Sequence, residues 1–117
     1  MKKIYYLSTC DTCKRIIKEL EPLEAFELQD IKTSLITENQ IKEMQDLAGS
    51  YEALFSKRAR LYKERNLKEK PLEEKDYKEL ILEHYTFLKR PVILNKGQIF
   101  IGNSKKIVEA AKQNIHS

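Results

Sequence analysis

The sequence predicts an α/β fold: a four-stranded mixed sheet in the order βαβ, a block of helices, then ββα. Three observations predict it. A short β-prone run at the start is followed by a helical pattern and a second strand-like run. The middle of the chain loses its strand character. The end brings back two β-rich runs around Asn95-Lys96-Gly97, followed by a helix-capping serine, Ser104.

Residues 3–7 (Lys-Ile-Tyr-Tyr-Leu) read as a buried strand. Residues 11–21 place Cys13, Ile16, Ile17 and Leu20 on one helical face and Lys14, Arg15, Lys18 and Glu19 on the other, and Pro22 stops the helix. Residues 24–29 alternate like a half-buried strand. A strand–helix–strand unit makes its two strands parallel. Thr37-Glu-Asn-Gln40 matches a capping box, which opens a helix over 38–47 with Gly49 as its stop. Tyr51, Leu54, Phe55, Leu61 and Tyr62 predict a further helical segment over 51–65, and Tyr77, Leu80, Ile81 and His84 another over 73–85. Val92-Ile93-Leu94 and residues 98–101 form a hairpin, and Ile107, Val108 and Ala111 line a last helix. The expectation is a single thioredoxin-like domain over residues 1–117, with a helical insertion at about 37–85.

Composition narrows the function classes. A chain of 117 residues can bury a core without a disulfide or a metal, and three Gly and three Pro do not suit a fibrous or disordered chain. No apolar run approaches the ~20 residues of a membrane helix, and the start lacks the apolar core of about 7–15 residues that a signal peptide needs. The expected location is the cytoplasm, with no membrane partner. The net charge of +4 suits an anionic substrate or partner, but no recognisable module predicts direct nucleic-acid binding.

The chemistry centres on Cys10 and Cys13, the chain's only cysteines, between the first strand and the first helix. In the cytoplasm such a pair is more often catalytic, redox-sensing or metal-binding than structural. A zinc clip needs four ligands, and only His84 and His116 remain as the usual nitrogen donors, far apart in the chain. No metal is therefore expected. At a helix N-terminus, free N–H groups and a partial positive charge stabilise the Cys10 thiolate, and Lys14 and Arg15 add charge. Cys13 shares the apolar face and should be buried and less reactive. Cys10 then attacks, and Cys13 resolves the mixed species into a disulfide.

Leu88-Lys89-Arg90-Pro91-Val92 enters the third strand. In a thioredoxin-like sheet the loop before this strand lies beside the cysteine, often with a cis proline. Arg90 would then point toward Cys10 and bind an oxyanion or stabilise the thiolate. A strand-start proline after a solvated basic residue is equally consistent with the local sequence. The densest basic stretch runs from Ser56 through Arg58 and Arg60 to Lys70. It reads as a solvated helix face, or as a surface for an oxyanion or acidic partner. His84 reads as a packing or helix-end residue.

Together, Cys10-x-x-Cys13 after a first strand, the helical block, and Leu88-Lys89-Arg90-Pro91-Val92 before a hairpin resemble the glutaredoxin-linked arsenate reductase family, which includes the Spx transcriptional regulators. The resemblance covers nearly the whole chain. It implies that Cys10 is the nucleophile that forms a thiol–arsenate adduct in the true reductases. Arg90 then binds the oxyanion with Pro91 beside it. Glutathione attacks the adduct and glutaredoxin releases arsenite. Two further arginines complete the oxyanion site in true reductases. Ser56 and Gly102 stand near their positions here, with Lys57, Arg58 and Arg60 close by in sequence. Cys13, and Ser56 with Arg58, look more Spx-like.

The expected function is a thiol-dependent oxidoreductase. Its catalytic residues are Cys10, Cys13 and Arg90, and its substrate-binding residues Thr12, Lys14, Arg58, Arg90 and Pro91. Its substrate is an oxyanion or a disulfide. No bound cofactor is implied, and glutathione or glutaredoxin supplies electrons. The alternative is an Spx-like redox-sensing regulator that binds RNA polymerase.

Overall fold

The structure, a computed structural model, describes residues 1–117. Its backbone divides into two compact units. One comprises Met1–Ser34 and Arg90–Ser117, the other Leu35–Lys89.

The first unit holds the sheet. Strand β1 (Lys3–Tyr6) leads through a short loop into helix α1 (Asp11–Leu20), and strand β2 (Glu27–Asp30) follows. β1 and β2 are parallel, with Lys3 opposite Glu27 and Tyr6 opposite Asp30. A mixed sheet results because the remaining two strands arrive as a hairpin, antiparallel to β1 and to each other. In the numbering of the whole chain they are β3 (Val92–Asn95) and β4 (Gln98–Ile101), and the sheet order is β2-β1-β3-β4. Lys96 and Gly97 turn the hairpin at φ 53° and 74°, the paired positive values of a type I′ turn. The final helix of this unit, Lys105–His116, starts where the Ser104 hydroxyl accepts the Ile107 N–H at 3.2 Å. It packs with α1 on one face of the sheet, around Ile4, Ile16, Leu20, Ile93, Phe100, Val108 and Ala111. The thioredoxin-like arrangement read from the sequence is present.

The second strand differs from expectation. The chain turns at Leu23–Phe26, with Ala25 at φ 66°, and pairing begins only where the Glu27 N–H reaches the Lys2 carbonyl at 3.0 Å. The alternation also reads differently. Leu28 is 41% exposed while Gln29 is buried, its amide donating to the Ser34 carbonyl at 2.9 Å. β2 is an edge strand, so an apolar residue on it is only half covered. A polar residue can be buried there because its amide finds a backbone partner.

The second unit is helical. Helix α2 (Glu38–Ala48) begins at Thr37, whose hydroxyl accepts the Gln40 N–H at 3.1 Å while the Gln40 side chain accepts the Thr37 N–H at 3.1 Å. Replacing Thr37 with Ala removes that acceptor. It should cost about 1 kcal/mol, read as a lower midpoint in urea with an unchanged slope.

The continuous helix expected over 51–65 is broken. A 3-10 turn at Glu52–Leu54 gives way to extended backbone at Phe55, and only Arg60–Glu64 returns to helix, as α3. Phe55 bridges Leu88: the Ser56 N–H donates to the Phe87 carbonyl at 2.7 Å, and the Lys89 N–H to the Leu54 carbonyl at 2.8 Å. Backbone groups more than 30 residues apart thus take the hydrogen bonds that a helix would have used. A further 3-10 turn, Leu67–Glu69, was not anticipated. Helix α4 (Glu74–Glu83) stops at His84, whose Nδ1 accepts the Thr86 N–H at 3.0 Å and starts a 3-10 turn at Tyr85–Phe87. The helix Lys105–His116 is accordingly α5.

Candidate functional site

The site grows from the junction of β1 and α1. β1 ends at Tyr6, and the Cys10 N–H closes a turn onto the Leu7 carbonyl at 3.0 Å. That turn leaves Cys10 at the N-cap of α1, with extended backbone (φ −98°, ψ 111°), while its carbonyl already accepts the Lys14 N–H at 3.2 Å. A side chain at an N-cap faces the first free N–H groups of its helix. Here that side chain is a thiol.

Burial alone would raise the Cys10 pKa. The Cys13 backbone N–H, the Cys13 thiol, the Arg90 charge and the Thr12 N–H outweigh it and hold Cys10 below its ordinary value. Cys13 is the opposite case. It is fully buried on the inner face of α1, and burial pushes its thiol up to about 11, assisted by the neighbouring Cys10. The two sulfurs therefore differ in both accessibility and acidity, and both are reduced.

Arg90 precedes β3 and belongs to the same unit as both cysteines, and its charge lowers the pKa of each. Its bond to the buried Pro91 is cis. The Thr12 N–H adds the smallest share of the effect that lowers the Cys10 pKa, and the sulfur makes no full cap hydrogen bond. Lys14 is directed elsewhere: its ammonium lies 3.7 Å from Asp11, and Arg90 rather than Lys14 is the main cation acting on Cys10. Gly102 donates its N–H to the Pro91 carbonyl at 2.9 Å with φ 97°, a left-handed conformation that disfavours any side chain there.

Arg58 lies in the other unit, exposed on the turn after Phe55. Much of its basic stretch is paired locally, Lys57 with Glu52, Arg60 with Glu64 and Arg65 with Glu83, which is how a solvated charged face behaves. No three His, Cys, Asp or Glu side chains converge as a metal site would require.

Two polar residues that fasten the loop leading to Cys10 escaped the reading of the sequence. The Asp30 carboxylate, at the end of β2, accepts the Ser8 hydroxyl at 2.5 Å and the Ser8 N–H at 3.2 Å. The available signal was weak: an aspartate closing a strand-like run, and a serine in the loop before Cys10.

A four-stranded mixed sheet in the order β2-β1-β3-β4, with a cysteine at the N-cap of its first helix, defines a thioredoxin-like fold. The family model of the ArsC family matches residues 5–111. The chain belongs to the ArsC family. Among solved structures, an arsenate reductase from Vibrio cholerae is 20% identical, with a TM-score of 0.78 over 97% of this chain and 96% of that one. SACOL0876 from Staphylococcus aureus COL is 27% identical, with a TM-score of 0.75 over 94% and 97% of the two chains. An arsenate reductase related protein from Brucella melitensis is 20% identical, with a TM-score of 0.71 over 93% and 92%. At these identities the likeness speaks for the fold. No curated protein matches the chain. No helix is long and apolar enough to cross a membrane.

Proposed function

We propose that the protein is a thiol–disulfide oxidoreductase working through a Cys10–Cys13 dithiol cycle. The observation that carries this reading is the contrast between the sulfurs: Cys10 partly exposed and acidic, Cys13 buried, basic and hydrogen-bonded to it. The Cys10 thiolate attacks one sulfur of a substrate disulfide, and the other sulfur leaves as a thiolate. Cys13 loses its proton and attacks the Cys10 sulfur. The Cys10–Cys13 disulfide forms and the substrate's second sulfur departs, so the substrate gains two electrons. Glutathione or glutaredoxin in the cytoplasm returns them. Arg90 holds negative charge at Cys10 throughout, and no bound cofactor takes part.

Disulfide is favoured over oxyanion by Gly102. Gly102 carries no cationic side chain, and its left-handed backbone disfavours the long one that the arsenate site of the resemblance requires. A polymerase-binding regulator would use the same disulfide without turnover.

The test is a trap. With Cys13→Ser, attack by Cys10 proceeds but resolution cannot, so a mixed disulfide between Cys10 and the substrate should accumulate to near one per chain by mass spectrometry. Full turnover by Cys13→Ser would exclude the dithiol cycle. Rapid disulfide formation without any turnover in the wild type would favour the regulator.

A further inference from the structure

The segment Leu7–Thr9 carries the chain from β1 to Cys10, outside any helix or strand. Its fastening comes from β2. The Asp30 carboxylate takes the Ser8 hydroxyl on Oδ2 (2.5 Å) and the Ser8 N–H on Oδ1 (3.2 Å), and Oδ1 also accepts the Lys32 N–H (3.1 Å). The Ile31 N–H adds a backbone bond to the Tyr6 carbonyl at 2.9 Å. The bonds from Ser8 and Lys32 hold the Asp30 carboxyl below its ordinary range, the Ser8 hydroxyl foremost, so it is ionised at neutral pH. Ser8 stands two residues before Cys10, inside the turn that the Cys10 N–H closes on Leu7.

We propose that Asp30 is a positioning residue for Cys10: by gripping Ser8 it fixes the turn that delivers the Cys10 sulfur to the N–H groups of Thr12 and Cys13. The proposal rests on the reading of Cys10 as the attacking thiol. Asp30 could influence Cys10 by charge or by geometry, and the two have opposite signs. A negative charge nearby disfavours a thiolate, so removing it through space would make Cys10 more acidic. Loss of the grip lets the sulfur drift from its donors and makes Cys10 less acidic. Asparagine separates the two effects. Its Oδ1 accepts the same backbone N–H groups, and its Nδ2 donates to the Ser8 oxygen, which as a hydroxyl can accept. Asp30→Asn therefore keeps the grip and drops the charge, whereas Asp30→Ala drops both.

The experiment follows iodoacetamide alkylation against pH, assigned to Cys10 by mass spectrometry. It compares wild type, Asp30→Asn, Asp30→Ala and Ser8→Ala, with thermal unfolding in parallel. Asp30→Asn should keep the wild-type Cys10 profile. Asp30→Ala should move it toward that of an ordinary cysteine, and Ser8→Ala should move it part of the way. For each tenfold loss of thiolate the neutral-pH rate should fall about threefold, because a more basic thiolate is also the better nucleophile. If Asp30→Ala fails to fold, Ser8→Ala decides, since it removes one hydrogen bond and leaves the backbone intact. Folded Ala variants with the wild-type profile overturn the proposal. So does a more acidic Cys10 in both Asp30 variants, which would be a field effect. A wild-type Cys10 no more acidic than an unfolded cysteine would instead overturn the reading of Cys10 as nucleophile.

Discussion

Cys10→Ser protein should consume no NADPH above background when a disulfide substrate, glutathione, glutaredoxin and glutathione reductase are supplied. The loss should exceed about 10³-fold, because a hydroxyl in place of the thiol removes the covalent route entirely. Serine retains nearly the size of cysteine and can still accept from the Thr12 and Cys13 N–H groups. The helix start should therefore persist, and circular dichroism should match the wild type. Full turnover in this variant would refute Cys10 as the nucleophile. The same mixture with arsenate in place of the disulfide gives the second reading of substrate. Consumption that depends on Cys10 and saturates with arsenate would mean that an oxyanion binds despite Gly102. None above the Cys10→Ser control would leave thiols and disulfides as the substrates.

Phe55→Ala should be the most destabilising single change in the helical unit, costing about 3–5 kcal/mol. Phe55 is 1% exposed. Its ring stacks on Phe87 at 5.3 Å between centroids, tilts against Tyr77 at 4.8 Å and meets the edge of Tyr62 at 5.8 Å. Three aromatic partners around one buried ring leave little room for collapse into the vacated space, so the cavity cost adds to the lost transfer energy. Its neighbours also carry the backbone bonds to Phe87 and Lys89. Denaturant unfolding should show the loss directly, with Phe55→Leu falling between wild type and Ala. A cost below about 1 kcal/mol would mean that this aromatic cluster does not hold the unit together.

Legibility in the sequence followed the range of the forces involved. The cap at Thr37, the turn at Lys96-Gly97, the apolar face of α1 and the stop at Pro22 depend on residues within about four positions of one another. Their outcome is written locally. The placement of Cys10 at a helix start was legible for the same reason, and with it the direction of its acidity. The source of the charge was legible in part: Arg90 was expected beside Cys10 and its charge does favour the thiolate, whereas Lys14, adjacent in sequence and also expected to help, sits by Asp11 on the solvent side.

The sequence by itself determined the order of the four strands and of the helices beside them, the thiol pair at the strand–helix junction and the contrast between an exposed and a buried sulfur. Periodicity, caps and helix-end chemistry act over one or two turns of chain. Only the tertiary structure decided that Phe55 leaves its helix for Leu88, that β2 lies at an edge with Leu28 exposed and Gln29 buried, and that Asp30 holds Ser8. In each case the deciding partner lies beyond the strand or helix that carries the residue. A hydrogen bond or a buried face goes to whichever group the fold brings near, and local pattern carries no record of that choice.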